Sequence, residues 1–189
     1  IPSMERERKD EIHLKIVSSA GTPLQTCRVS AELQKLDFLF GHCNLATEKN
    51  SRNRHLLNSL FHFTCPENLT KWKNYAPDLG VYDFSKIDSM AEYCDANEIG
   101  IEWHFLSGYH PEWFTSLQTD AEKAASQLAN CRAVLNRYQD EVNFFQVFNE
   151  DWHTHIQRAK VFCDQTELFK TLRKEFPEGV DGLADGAVQ

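Results

Sequence analysis

Residues 67 to 72, Glu-Asn-Leu-Thr-Lys-Trp, put a carboxylate, an amide, an ammonium and an indole within six positions. They follow the apolar run "LFHF" and the proline of "TCPEN". Two more polar sets stand late in apolar runs: His104 in "IGIEWHFLSG", and Asn149-Glu150 closing "VNFFQVFNE". Acid, amide, ammonium and imidazole all make directional hydrogen bonds. Placed on loops above rigid strands, such groups can converge on one ligand. The stretch at 64–72 has a plainer reading as a helix start, with Thr64 as N-cap and Pro66 and Glu67 in the first turn. A lone histidine such as His104 is more often a satisfied core residue. Only the elements beneath these side chains can separate the readings.

Those elements alternate. "EIHLKIVSSAGTPLQTCRVSAELQ" shows period-2 patterning on both sides of "AGTP", with Gly21 and Pro23 supplying the turn. It is read as a leading β-hairpin element over residues 1–36, with a second domain over 37–189. In that domain "LDFLFGHCNLA", "LFHFTCPEN", "IGIEWHFLSG" and "VNFFQVFNE" read as buried strands, and "GVDGLADGAV" as the start of a fifth. Between them lie helical stretches: "SRNRHLLNSL", "DFSKIDSMAEYCDANEIG" with Ser85 as N-cap, "DAEKAASQLANCRAVLNRYQD" and "QTELFKTLRKEF". The third carries Ala121, Ala124, Leu128, Cys131, Leu135 and Tyr138 at helical spacing. Strands alternating with helices give an α/β fold on a parallel sheet. Glu67, Asn68, His104, Asn149 and Glu150 then fall towards the C-terminal ends of three successive strands, where barrel active sites gather.

Composition narrows the function. At 189 residues and 41% hydrophobic, the chain has enough apolar matter for one sizeable core. Twenty Lys+Arg against 28 Asp+Glu, a net charge of −8, argue against a nucleic-acid partner. No apolar run approaches the ~20 residues of a membrane span, so no membrane is expected. Thirteen Phe, five Tyr and four Trp are a heavy aromatic load: some line the core, and a ligand cleft also needs flat apolar walls. The six cysteines form no CxxC pair; their spacing disfavours zinc and leaves a disulfide framework open without indicating one. No metal or cofactor is expected. "IPSMERERKD" lacks the apolar stretch of a secretory signal, and the chain opens without Met. Asn68-Leu69-Thr70 is a glycosylation sequon by pattern.

"TCPENLTKW", then "VYDFSKIDSMAEYCDANEIGIEWH", then "FFQVFNE" resemble three ordered blocks of family 10 of the glycoside hydrolases, the endo-β-1,4-xylanases. The resemblance runs from about residue 11 to about residue 150, and its opening segment is similar to the hairpin before the barrel in one branch. It implies a (β/α)8 TIM-barrel type of fold, incomplete here at about strands 1–5 because eight strands take ~250 residues. It implies a retaining hydrolase of xylan-type polysaccharide, the parent protein being extracellular. By the same resemblance Glu67, Asn68 and Lys71 contact the sugars toward the non-reducing end, and Trp72 packs beneath their loop. His104 lies beside the sugar at the cleavage point, and Asn149 holds its 2-hydroxyl. Glu150 is the general acid/base, kept protonated by burial and a neighbouring carboxylate.

The chain departs from the family pattern at three places. Trp103 replaces the glycine before the histidine, and Gly108 falls where a cleft tryptophan belongs, leaving Tyr109 or Trp113 to supply an aromatic wall. The nucleophile, a second glutamate on a later strand in a T-E-L-D-like block, has no counterpart. Thr166-Glu167-Leu168 falls in a helical pattern soon after Glu150, so Glu167 is not that group. Alone, the chain is expected to be inactive. The rival expectations are a non-catalytic carbohydrate-binding or regulatory relative, and a remnant that binds no sugar.

Overall fold

The computed structural model describes residues 13–32, 40–43, 51–149 and 162–177. The chain divides into two compact units, 1–34 and 35–189. In the first, the "AGTP" turn forms: Gly21, at φ 79°, donates its N–H to Ser18 O (2.9 Å), and Val17 bridges Pro23 in antiparallel sense. The positive φ is why glycine suits that position. Beyond this single bridge the described residues of the unit carry no strand.

The second unit is built on four parallel strands in sequence order: β1 (Gly41–Cys43), β2 (Phe63–Cys65), β3 (Gly100–His104) and β4 (Phe144–Gln146). Helix α1 (Ser51–Leu60) joins β1 to β2, α2 (Ser85–Ala96) joins β2 to β3, and α3 (Asp120–Tyr138) joins β3 to β4. Helix α4 (Gln165–Glu175) follows. Sequential parallel strands with helical crossovers are the repeating unit of a TIM barrel, present here as an incomplete barrel. Any fifth strand in "GVDGLADGAV" lies outside the described residues.

The sheet's two faces differ. Ile101, Trp103 and Phe145, each at most 2% exposed, enter the core with Met90 and Cys94 of α2 and Val134, Leu135 and Tyr138 of α3. Trp103 meets Tyr75 edge-on at 5.8 Å and Tyr138 at 5.2 Å, so the indole that stands where the family has glycine serves as core. On the other face the ring of Phe63 sits over Gly41 and Gly100 and meets Phe144 edge-on at 5.6 Å. A Cβ on Gly100 would lie 2.8 Å from Phe63 Cδ2, so only glycine admits that ring.

Local signals set most helix ends. Thr119 and Glu122 form a reciprocal capping box on α3, and Asp164 Oδ1 accepts from Glu167 N on α4. Ser85 is not the cap of α2: it is the first helical residue, and Asp83 Oδ1 accepts from both its N–H (3.1 Å) and its hydroxyl (2.6 Å). On α3 the buried stripe is Gln127, Asn130, Cys131, Val134, Leu135 and Tyr138, while Ala121 is exposed and Leu128 half-buried. The two polar members of that stripe act as ties. Asn130 accepts from the Tyr75 hydroxyl (3.1 Å) and donates to Leu106 O (2.8 Å); Gln127 Oε1 accepts from Phe162 N (2.8 Å).

Candidate functional site

Thr64 lies within β2, and the chain leaves the strand at Pro66 into a turn over 67–70, so no helix starts there. The turn brings Glu67, Asn68 and Lys71 together. Lys71 Nζ donates to Glu67 Oε1 and to Asn68 Oδ1, both at 3.1 Å. Its side chain is only 8% exposed, whereas that of Glu67 is 48% exposed. A lysine so covered needs partners for its charge, and it has three. The third is the ring of Tyr109, whose centroid lies 4.7 Å from Nζ and 5.6 Å from Lys73 Nζ.

Thr70 fastens this turn to the next strand. Its buried hydroxyl donates to His104 O (2.6 Å) and accepts from His104 N (3.3 Å), clamping the end of β3. Beneath the turn Trp72, 1% exposed, meets His110, Trp113 and Phe114 edge-on. Trp113 spends its indole N–H on Ala76 O (2.9 Å) and packs on Trp72. Of the two candidate wall aromatics, Tyr109 is therefore the one beside Lys71.

Register completes the set. His104 pairs with Gln146 across β3 and β4, and His104 Nδ1 lies 2.5 Å from Gln146 Oε1. Gln146 Nε2 donates onward to Asn149 Oδ1 (3.2 Å). Burial holds His104 below the usual imidazole value, with the Lys71 ammonium acting in the same sense. The amide Gln146 favours the charged ring, as do the carboxylates of Glu102 and Glu67, without reversing the effect. Glu67, Asn68, Lys71, His104 and Asn149 thus stand at the C-terminal ends of β2, β3 and β4, linked by two relays of hydrogen bonds. Glu150 and Asp151 lie outside the described residues. Glu167 is in the first turn of α4, exposed and paired with Lys170 (2.8 Å). Gln146 and Thr70 escaped the sequence reading of the site, whereas Tyr109 was one of its two candidate wall aromatics; the one available signal was that Gln146 is polar within an otherwise apolar run.

Chemically, the cluster offers amide, ammonium, carboxylate and imidazole groups around the C-terminal ends of three neighbouring strands. That mixture suits a neutral polyhydroxylated ligand, each hydroxyl both donating and accepting. Among the described residues no three His, Cys, Asp or Glu side chains group as metal ligands. Cys43 and Cys65 lie opposite each other on β1 and β2, and the Cys65 thiol is pushed up to about 12 by burial, with Glu102 and Cys43 adding to it. No helix among the described residues is long and apolar enough to cross a membrane.

Comparison with known proteins bears on the same segment. The anti-sigma-I factor RsgI6 of Acetivibrio thermocellus is 25% identical over 150 residues, covering 77% of this chain and 19% of that protein. Endo-1,4-beta-xylanase C of Phanerodontia chrysosporium is 28% identical over 99 residues, covering 51% of this chain and 25% of the enzyme. Xylanase 10B from Thermotoga petrophila RKU-1, solved in complex with xylobiose, superposes with a TM-score of 0.61 at 16% identity, over 78% of this chain and 52% of that one. The chain thus spans between about a fifth and about a half of the length of these relatives. The model of glycosyl hydrolase family 10 matches residues 30–168, a stretch that takes in all four strands and every residue of the cluster. The chain belongs to glycosyl hydrolase family 10.

Proposed function

We propose that the chain forms part of a retaining endo-1,4-β-xylanase-like barrel, in which Glu67, Asn68, Lys71, His104 and Asn149 bind a xylan-type oligosaccharide. Glu150 is its general acid/base. The observation that carries this is the convergence of two relays, Glu67/Asn68–Lys71 and His104–Gln146–Asn149, on one end of the parallel sheet. The solved Thermotoga petrophila relative, of the same fold, holds xylobiose. In the retaining route one carboxyl protonates the leaving oxygen while another, about 5–5.5 Å away, attacks the anomeric carbon. This chain offers Glu150 for the first role and no counterpart for the second, so by itself it binds without turning over.

The test uses a longer protein that contains this chain and hydrolyses xylan. Glu150→Gln removes the proton donor. Xylan, with its poor leaving group, should lose turnover by a factor of about 100 or more. Glycosylation from an aryl glycoside with an acidic phenol should be largely spared. Asn149→Ala removes a contact that tightens in the transition state and should slow both substrates. Equal loss on both substrates with Glu150→Gln would remove Glu150 from the acid role. For the 189-residue chain, measured xylan turnover abolished by Glu150→Gln would reopen the nucleophile among Asp151, Asp164 and Glu167.

A second reading has its own support. The relative matched over the larger share of this chain is named an anti-sigma-I factor, not a hydrolase. On that reading the same cleft reports a polysaccharide to another module and cleaves nothing. Binding of xylo-oligosaccharide by the longer protein, with no release of reducing ends, would select it.

A further inference from the structure

The pair Gln146 and Asn149 determines what kind of hydrogen-bonding surface His104 presents, and this extends the oligosaccharide reading on which its purpose rests. Gln146 is 4% exposed and wedged between the other two groups. Its Nε2 donates to Asn149 Oδ1 at 3.2 Å, so its Oε1 is the atom 2.5 Å from His104 Nδ1. A carbonyl oxygen cannot donate. With the amides so oriented, the hydrogen between them belongs to His104.

We infer that Gln146 is a positioning residue that sets the proton of His104 on Nδ1 and turns the amide of Asn149, so that a sugar hydroxyl meets one acceptor, His104 Nε2, beside one donor, Asn149 Nδ2. A hydroxyl is both donor and acceptor and satisfies the two together. A methyl ether, which cannot donate, leaves Nε2 unpaired, so the relay selects an unsubstituted hydroxyl. The groups that bias the ring's charge come from three sources. Burial opposes protonation, as does Lys71 on the β2 turn, while the hydrogen bond to Gln146 of β4, Glu102 of β3 and Glu67 of the turn favour it. The net direction is toward the neutral ring, in which Nε2 keeps its lone pair. The reverse relay, with both amides turned over and the proton on Nε2, would satisfy the same three groups. The position of the proton is the deciding observable.

The experiment is magic-angle-spinning 15N spectroscopy of the [15N]histidine-labelled 189-residue chain at neutral pH, which tolerates an oligomer. The His104 signals are identified by subtracting the spectrum of His104→Asn. Protonated Nδ1 and bare Nε2 are expected. Gln146→Leu should release the ring toward Nε2–H, the form free imidazole side chains favour. Gln146→Glu, close in shape, keeps an acceptor at Nδ1 and adds charge, and should raise the proton affinity of His104 roughly tenfold or more. Nε2–H in the unaltered chain would overturn the inference, as would a proton position unmoved by Gln146→Leu. Should the leucine variant fail to fold, the tautomer of the unaltered chain and the response to Gln146→Glu still decide it. Nδ1–H together with no affinity for xylotriose would keep the relay and remove the oligosaccharide reading, so the two failures are distinct.

Discussion

Acid should loosen this protein at His110. Its ring stacks on Phe114 at 4.0 Å with an interplanar angle of 10° and meets Trp72 edge-on. Its Nε2 lies 3.0 Å from Gln127 Nε2. The orientation of that amide is set from the other side, because Gln127 Oε1 takes the backbone N–H of Phe162 (2.8 Å). His110 Nε2 must therefore accept, and a proton there would face an amide N–H and break the bond. Burial, with the Lys123 ammonium adding to it, brings the ring from an ordinary 6.5 down to about 4. The folded state thus prefers neutral His110, and the unfolded chain binds the proton more readily. Stability from this group is complete above about pH 6.5 and is lost as pH falls from there toward 4. Each tenfold in proton affinity is about 1.36 kcal/mol, which gives roughly 3 kcal/mol, trimmed to about 2 because the ring is partly exposed. The assay is urea unfolding at fixed protein concentration between pH 7 and 4, comparing the native sequence with His110→Phe. The phenyl keeps the stacking and cannot titrate, but removes the acceptor that His110 offers the Gln127 amide. The variant should start lower by about 1 kcal/mol at pH 7 and lose about 2 kcal/mol less on acidification, since the carboxylates titrate alike in both. Parallel pH profiles for the two proteins would refute the reasoning.

Trp103→Ala should cost about 3–5 kcal/mol of stability, because the indole is fully buried against Tyr75 and Tyr138; a loss under about 1 kcal/mol, read by denaturation, would mean that the site collapses easily. The 189-residue chain should be oligomeric or poorly soluble, with Phe40 50% and Phe144 38% exposed and, among the described residues, no strand paired on the outer edges of β1 and β4; sedimentation as a monodisperse, cooperatively melting monomer contradicts this. Asn68 should carry no glycan in protein from its native source, since its side chain is engaged by Lys71 within the proposed cleft; intact mass and peptide mapping decide it.

The sequence by itself determined the order and type of the elements. Apolar runs of strand length alternate with helical patterns, and local signals such as the Thr119/Glu122 capping box need no distant partner. The Glu67, Asn68 and Lys71 cluster was legible for the same reason: residues three and four apart in a tight turn meet whatever else the chain does. Long-range contacts were not legible. Gln146 read as one more polar residue in a strand until register set it opposite His104, 42 positions away. Thr70 looked like a turn or sequon residue until β3 arrived beside it. Periodicity alone also misdrew the face of α3, counting Ala121 as core and omitting Gln127 and Asn130. Apolarity marks what prefers burial, whereas a polar side chain is buried only where a partner from another element meets it. That partner exists only once the sheet register and the helix packing are in place, which is why the relays of the site belonged to the tertiary structure.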